Sequence, residues 1–170
     1  MFSQKPALDQ VVVAKLQDSF GEAVVSAETM LDMLVVTVKS QNIKAVIQKL
    51  YDDSDLQFQF LTTLCGMHLP GQEEELAVVY HLHSFSNNHR IRLKTYLKID
   101  SPHIQTLTGI FPTANWMERE TYEFYGVIFD GHPNLKRILN VDDFEGFPLR
   151  KDFPLEDQTR EDKNDNMFGR

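Results

Sequence analysis

The chain has 170 residues, 42% of them hydrophobic and 25% charged, the proportions of one folded domain able to bury its own core. A net charge of −8 argues against the basic face that nucleic-acid binding requires, and the single Cys65 excludes an internal disulfide and fits a reducing compartment. No apolar run approaches the roughly 20 residues that span a bilayer, and the start MFSQKPALDQ lacks a signal-peptide core, so membrane association is expected only through partners.

Residues 6–20 predict a helix: Pro6 stands at its start, Leu8, Val12 and Leu16 recur on one face, and Gly21 follows as a stop. A weak strand near Ala23 to Ser26 precedes a β-rich run from Met33 to Val38. Ser40 is a candidate cap for a helix whose stripe is Ile43, Val46, Ile47 and Leu50. The run Leu56 to Leu69 is strand-like, though ambiguous at its start. Residues 76–98 predict a hairpin. A two-residue turn at Asn87-Asn88 would pair Ser86 with His89. Leu82 then faces Leu93 and Val78 faces Leu97 on an apolar side. His83 meets Arg92, His81 meets Lys94, and Val79 meets Tyr96 on the other.

Thr113 is expected to cap a helix that runs to Tyr125 and ends at Gly126. At 100° per residue, Trp116, Met117 and Phe124 share an arc that includes Glu120. Glu120 is therefore expected to be more buried than Glu118 and paired with a cation, from Arg137, Arg150 or another chain. Arg119 and Glu123 stand at ion-pair spacing beside this arc. Val127 to Phe129 predicts a short strand, Asp130-Gly131 a turn, and Pro133 the opening of a short helix with Leu135, Ile138 and Leu139 inward. Beyond Asp142 periodicity is lost. Pro148 and Pro154 extend the chain, and nine acids stand against five cations in 142–170. The expected organisation is a single α+β domain over 1–141, with a mixed sheet and helices on one side, followed by an extended C-terminal docking arm over 142–170.

Two clusters invite a catalytic reading. His81 and His83 share a strand face and can suggest zinc, with His68 or His89 as a third ligand, but the cations opposite them oppose a dication and no carboxylate or Cys pair completes the set. Glu118, Glu120 and Glu123 suggest acid–base work, yet Glu118 and Glu120 lie about 200° apart around a helix and cannot converge on one substrate. Glycine-rich phosphate loops and cysteine sets for an iron–sulfur cluster are absent from the sequence.

The run Glu118-Arg119-Glu120, then Glu123, Phe124-Tyr125, His132, Lys136 and Ile138-Leu139, resembles the signature of the thirty-kilodalton (C-type) subunit family of proton-pumping NADH:quinone oxidoreductase, respiratory complex I. The stretch EGFPLRKDFPL from Glu145 to Leu155 is similar to that family's continuation, with Phe147 where His is often found. Upstream the likeness is looser and includes Leu107 to Pro112. The resemblance implies a peripheral-arm subunit on the cytoplasmic side of the bacterial inner membrane. FMN, iron–sulfur clusters and quinone are expected in partner subunits, with no cofactor, metal or catalytic residue in this chain. Contacts are implied with the D-type subunit, of the forty-nine-kilodalton class, and with other peripheral-arm subunits. The expected interface comprises Glu118, Arg119, Glu120, Glu123, His132, Lys136 and Arg137, then Phe147, Pro148, Arg150, Lys151, Asp152 and Phe153 of the arm. Homologous subunits occur in membrane-bound hydrogenases and ferredoxin-linked complexes. A stand-alone metal-dependent hydrolase built on His81 and His83 is the alternative from another class.

Overall fold

Pro6 opens helix α1 (Pro6–Phe20) and Gly21, at φ 47°, ends it, with Val12 and Leu16 buried as their spacing requires. The computed structural model describes residues 5–154. Strand β1 (Val24–Met30) is longer than expected. Its Ser, Glu and Thr residues stay exposed because it is an edge strand and has little burial to reveal it in the sequence. Leu31 and Asp32, both at positive φ, turn the chain tightly into β2 (Met33–Val38). Helix α2 (Ile43–Asp52) buries the predicted stripe Ile43, Val46, Ile47 and Leu50. Ser40 does not cap it; Ser40–Asn42 form a 3-10 turn that carries the chain into the helix.

The strand-like run after α2 begins late. Asp53 accepts the N–H groups of Asp55 and Leu56, Gln57 takes a positive φ, and β3 starts only at Phe60 (Phe60–His68). The buried Leu56 and Phe58 belong to the intervening turn, which is why apolar content alone places the start too early.

Strands β4 (Leu76–Ser84) and β5 (His89–Leu97) correct the expected hairpin register. Ser84, not Ser86, faces His89, so the loop is Phe85 to Asn88. Tyr80 meets Leu93, His83 meets Arg90, His81 meets Arg92, and Val79 meets Lys94. Asn87 accounts for the longer loop. Its side-chain amide donates to Ser84 Oγ at 3.2 Å and to the carbonyls of Asp55 and Leu56 at 2.8 and 3.1 Å. Asn88 takes φ 45° and donates its N–H to Phe85 O at 3.2 Å. The displacement is two residues, so every side chain keeps its predicted face.

The five strands order as β1-β2-β5-β4-β3, antiparallel except for the parallel pair β2–β5, a mixed sheet. Leu34, Val36, Tyr80, Leu82, Ile91 and Leu93 line the face on which the helices pack. Short strands β6 (His103–Gln105) and β7 (Ile128–Asp130) form a separate parallel pair flanking helix α3 (Ala114–Tyr125). Gly126, at φ 78°, terminates α3 as expected, but Thr113 has helical dihedrals and makes no side-chain cap. The architecture is the single α+β domain that the sequence predicts.

Candidate functional site

Helix α3 lies close against β3 because Gly66 gives it room. A Cβ built on Gly66 would stand 2.5 Å from Tyr125 Cδ2 and 3.0 Å from Thr121 Cγ2. That approach turns Ala114, Glu118 and Thr121 inward and leaves Trp116 62% exposed. The expected phase is therefore wrong. Glu118 is the buried carboxylate, at 0% exposure, while Glu120 is exposed and no ion pair reaches it among the described residues. The contact with Gly66, not the aromatic count, decides which side of the helix faces the core. Of the cations expected beside Glu120, Arg137 and Arg150 are engaged with Phe144 and Phe147 instead.

Three of the four charged residues of α3 have a definite task. Glu118 accepts the N–H of Leu107 at 2.7 Å and stands 2.5 Å from the Thr106 hydroxyl, tying α3 to the strand end beside it. Burial raises its pKa to about 7 against these hydrogen bonds, which favour the charged form. Glu123 accepts the N–H groups of Ile138 and Leu139 at 2.8 and 3.0 Å, and that of Asn140. Burial pushes its pKa up, but those three bonds, aided by Arg137, hold it below the ordinary carboxylate value. Arg119 donates to the carbonyls of Lys136 and Arg137 at 2.9 and 3.2 Å and covers the Trp116 ring at 5.1 Å. Arg119 and Glu123 thus do not pair with each other; they grip opposite polar groups of the same passing segment.

That grip explains why no helix follows Pro133. The N–H groups of residues 138–140 and the carbonyls of 136 and 137 are bonded to α3 side chains, which replace a helical ladder. Leu135 packs on the core, but Leu139, expected to face inward, is 63% exposed. His132 anchors the start of the segment. Its Nδ1 accepts the N–H of Asn134 at 3.0 Å, so its Nε2 donates to Asn115 O at 3.2 Å.

The described part of the arm, 142–154, returns to the far end of α3. Gly126 leaves space that Phe147 and Arg150 fill; a Cβ there would stand 2.6 Å from Phe147 Cζ and 2.7 Å from Arg150 Nη2. Arg150 donates to Tyr125 O at 2.7 Å and stacks 4.3 Å over the Phe147 ring. The Leu149 N–H reaches Phe124 O at 3.3 Å, and that of Lys151 reaches His68 Nδ1 at 2.8 Å. Arg137 donates to Phe144 O, and Phe144 stacks on Phe153 at 6.0 Å. Pro148 is half-buried, and Lys151 and Asp152 are exposed. The remainder of the arm lies outside the described residues.

The predicted signature therefore converges on one surface, but as fasteners. Its two buried glutamates are committed to N–H and O–H donors and do not face a common space. His81 Nε2 accepts Arg92 Nε at 2.8 Å, so neither the position nor the lone pair suits a metal. Among the described residues, no group of three His, Cys, Asp or Glu has metal-holding geometry, and no helix is long and apolar enough to cross a membrane. Along α3 and the segments tied to it the apolar Trp116, Leu139, Val141 and Leu149 are exposed, beside the charged Glu120, Lys136, Asp142 and Lys151. The sequence places Trp116 in the arc expected to be buried and Leu139 on an inward helix face, and it singles out neither Val141 nor Leu149 as exposed. For the last two the one signal was apolar residues in a stretch too aperiodic to bury them.

Residues 36–159 match the sequence family described as respiratory-chain NADH dehydrogenase, 30 Kd subunit. The C-type subunit of NADH-quinone oxidoreductase from Roseiflexus castenholzii (strain DSM 13941 / HLO8) is 44% identical over 150 residues, which cover 88% of this chain and 86% of the relative. Among solved structures, a trypsin-resistant fragment (1-134) of Nqo5 is similar at TM-score 0.61 and 25% identity, over 73% of this chain and 98% of that one. A chain of an archaeal membrane-bound sulfane sulfur reductase shares the fold at TM-score 0.72 and 22% identity, over 86% and 85% of the two chains. The match runs from within β2 through β3 to β7, the α3 fasteners and the start of the arm, and on it the chain belongs to the thirty-kilodalton subunit family of respiratory-chain NADH dehydrogenase.

Proposed function

We propose that the chain is a cofactor-free, peripheral-arm subunit of proton-pumping NADH:quinone oxidoreductase. It helps assemble and hold the quinone-reducing module on the cytoplasmic side of the bacterial inner membrane, through contacts with the D-type (forty-nine-kilodalton) subunit. FMN, the iron–sulfur clusters and quinone belong to its partner subunits. The observation that carries this reading is the use of the family signature. Glu118, Arg119 and Glu123 are spent on backbone groups, and the surface they fix presents Trp116, Leu139, Val141 and Leu149 outward. Exposed apolar side chains beside charged ones, on a member of a family of complex subunits, suit protein contact better than catalysis.

The test is affinity purification of the tagged full chain from its native membrane in mild detergent, beside a chain truncated after Asn140. The full chain should bring down the D-type subunit and support NADH oxidation by quinone. The truncated chain should keep its circular dichroism but fail to enter the complex. Normal assembly of the truncated chain would remove the docking role of the arm. Stoichiometric flavin or iron–sulfur absorbance in the purified chain would remove the cofactor-free reading.

A further inference from the structure

The sheet has a second face, turned away from the helical core. Val35, Ala77 and Val79 lie on it, buried yet outside the core cluster. Along β5 this face carries Arg90, Arg92 and Lys94 at alternate positions, about 7 Å apart. The cross-strand neighbours of Arg92 and Lys94 are neutral or histidine: Val35 and His81 beside Arg92, Thr37 and Val79 beside Lys94. Among the described residues no carboxylate forms an ion pair with Arg92 or Lys94. Glu28 shares the face two strands from Arg92, beyond Val35. A chain of net charge −8 thus holds a row of positive charge on one sheet face. Burial, and after it Arg92 and Arg90, lowers the pKa of His81, and burial, and after it Arg90, lowers that of His83.

At one end of the row the face turns aromatic. Phe85 is 67% and Phe60 42% exposed, with ring centroids 5.2 Å apart, and Phe85 lies 4.6 Å from the His83 ring. An extended peptide repeats its side chains on one side at the same spacing as β5. Carboxylates at alternate positions of such a segment would meet Arg92 and Lys94 in register, and an apolar residue beyond them would reach Phe60 and Phe85. Nucleic acid fits less well. The cations form one row on an otherwise acidic chain, and phosphate backbones require a broader basic surface.

We propose that the half-exposed surface formed by Arg92, Lys94, Phe60 and Phe85 on this face is a second protein interface, distinct from the α3 surface, and that its occupant is an extended acidic segment of another chain. The segment is held by Arg92 and Lys94 and anchored on Phe60 and Phe85.

The test places photoreactive benzoylphenylalanine at Phe85 of the full chain, irradiates the assembled complex and identifies the cross-linked peptide. The expected product is a segment of a different subunit with carboxylates at alternate positions. The double variant Arg92→Gln/Lys94→Gln should lower the cross-link yield about tenfold, whereas Arg92→Lys should retain it. Should the double variant fold poorly by circular dichroism, Lys94→Gln alone, at a half-exposed side chain, serves the same comparison. Cross-linking to residues 155–170 of the same chain, to a second copy, to nucleic acid or to nothing would overturn the proposal. So would a yield indifferent to the loss of the cations.

Discussion

Replacing Glu118 by Gln tests whether the buried carboxylate governs the chain's response to pH. The amide keeps the shape. Its oxygen can accept the Leu107 N–H and its nitrogen can donate to the Thr106 hydroxyl, the two contacts at 2.7 and 2.5 Å that the carboxyl makes. What it loses is ionisation. In the folded chain Glu118 holds its proton up to about pH 7, against an ordinary 4.5 when unfolded. Between those values the folded state binds more protons than the unfolded one. This group's contribution to stability is therefore full below about 4.5, declines as pH rises through the window, and is gone above about 7. The shift corresponds to about 3 kcal/mol, roughly a third of the stability of a typical domain.

Urea unfolding of the full chain, followed by circular dichroism at pH 5, 6, 7 and 8, reads this directly. The stability difference between Glu118→Gln and wild type should move by about 3 kcal/mol in favour of the variant from pH 5 to pH 8. Taking the difference cancels groups the substitution leaves alone. Parallel pH profiles for the two chains would show that Glu118 is already ionised when folded, and the burial argument would fail. Glu118→Ala is a poorer probe, since it also leaves the Leu107 N–H unpaired.

Glu123 should respond with the opposite sign. Its folded pKa is depressed, so its contribution is present above the unfolded carboxylate value and lost as pH falls below it. Glu123→Gln should cost about 1–2 kcal/mol at pH 7, because one oxygen cannot serve three N–H groups, and the difference should shrink in acid; a deficit constant down to pH 3 would refute this. Gly66→Ala forces a methyl group to within 2.5 Å of the Tyr125 ring and should lower stability by about 1–3 kcal/mol, measured as a shift in urea midpoint. An unchanged midpoint would mean α3 is not held against β3 at that point. Gly126→Ala strains a φ of 78° and occupies the space of Phe147 and Arg150, so trypsin should cut after Arg150 or Lys151 about tenfold faster while the core signal is kept. Unaltered cleavage would show that the arm does not depend on this seat.

The parts legible in the sequence are those whose pattern is local. The α2 stripe, the run Met33–Val38 and the faces of the β4–β5 hairpin follow from periodicities of 3.6 and 2, and each appears where expected. The errors share another cause: a distant group supplies what the local pattern lacks. Asn87 reads as a turn residue serving its own hairpin, but it is recruited by the carbonyls of Asp55 and Leu56, and the loop lengthens to let it reach them. The aromatic residues of α3 suggest one phase, whereas Gly66, on another strand, admits Thr121 and Tyr125 and so turns Glu118 inward. Pro133 resembles a helix start because nothing nearby shows that the polar groups of 136–140 will be satisfied from α3. These cases also explain why the charged signature is recognisable in the sequence while the roles of its members are not. Glu118 and Glu123 sit on one helix, five residues apart, yet one ties α3 inward to Leu107 and the other ties residues 138–140 outward to α3. The same side-chain chemistry serves two opposite directions, and only the position of the partner backbone distinguishes them. A segment held through its backbone, with its own side chains left outward, is free to vary the surface it presents without loosening the fold. Leu139, at 63% exposure beside an N–H bonded to Glu123, is the residue where that separation of holding from presenting is plainest.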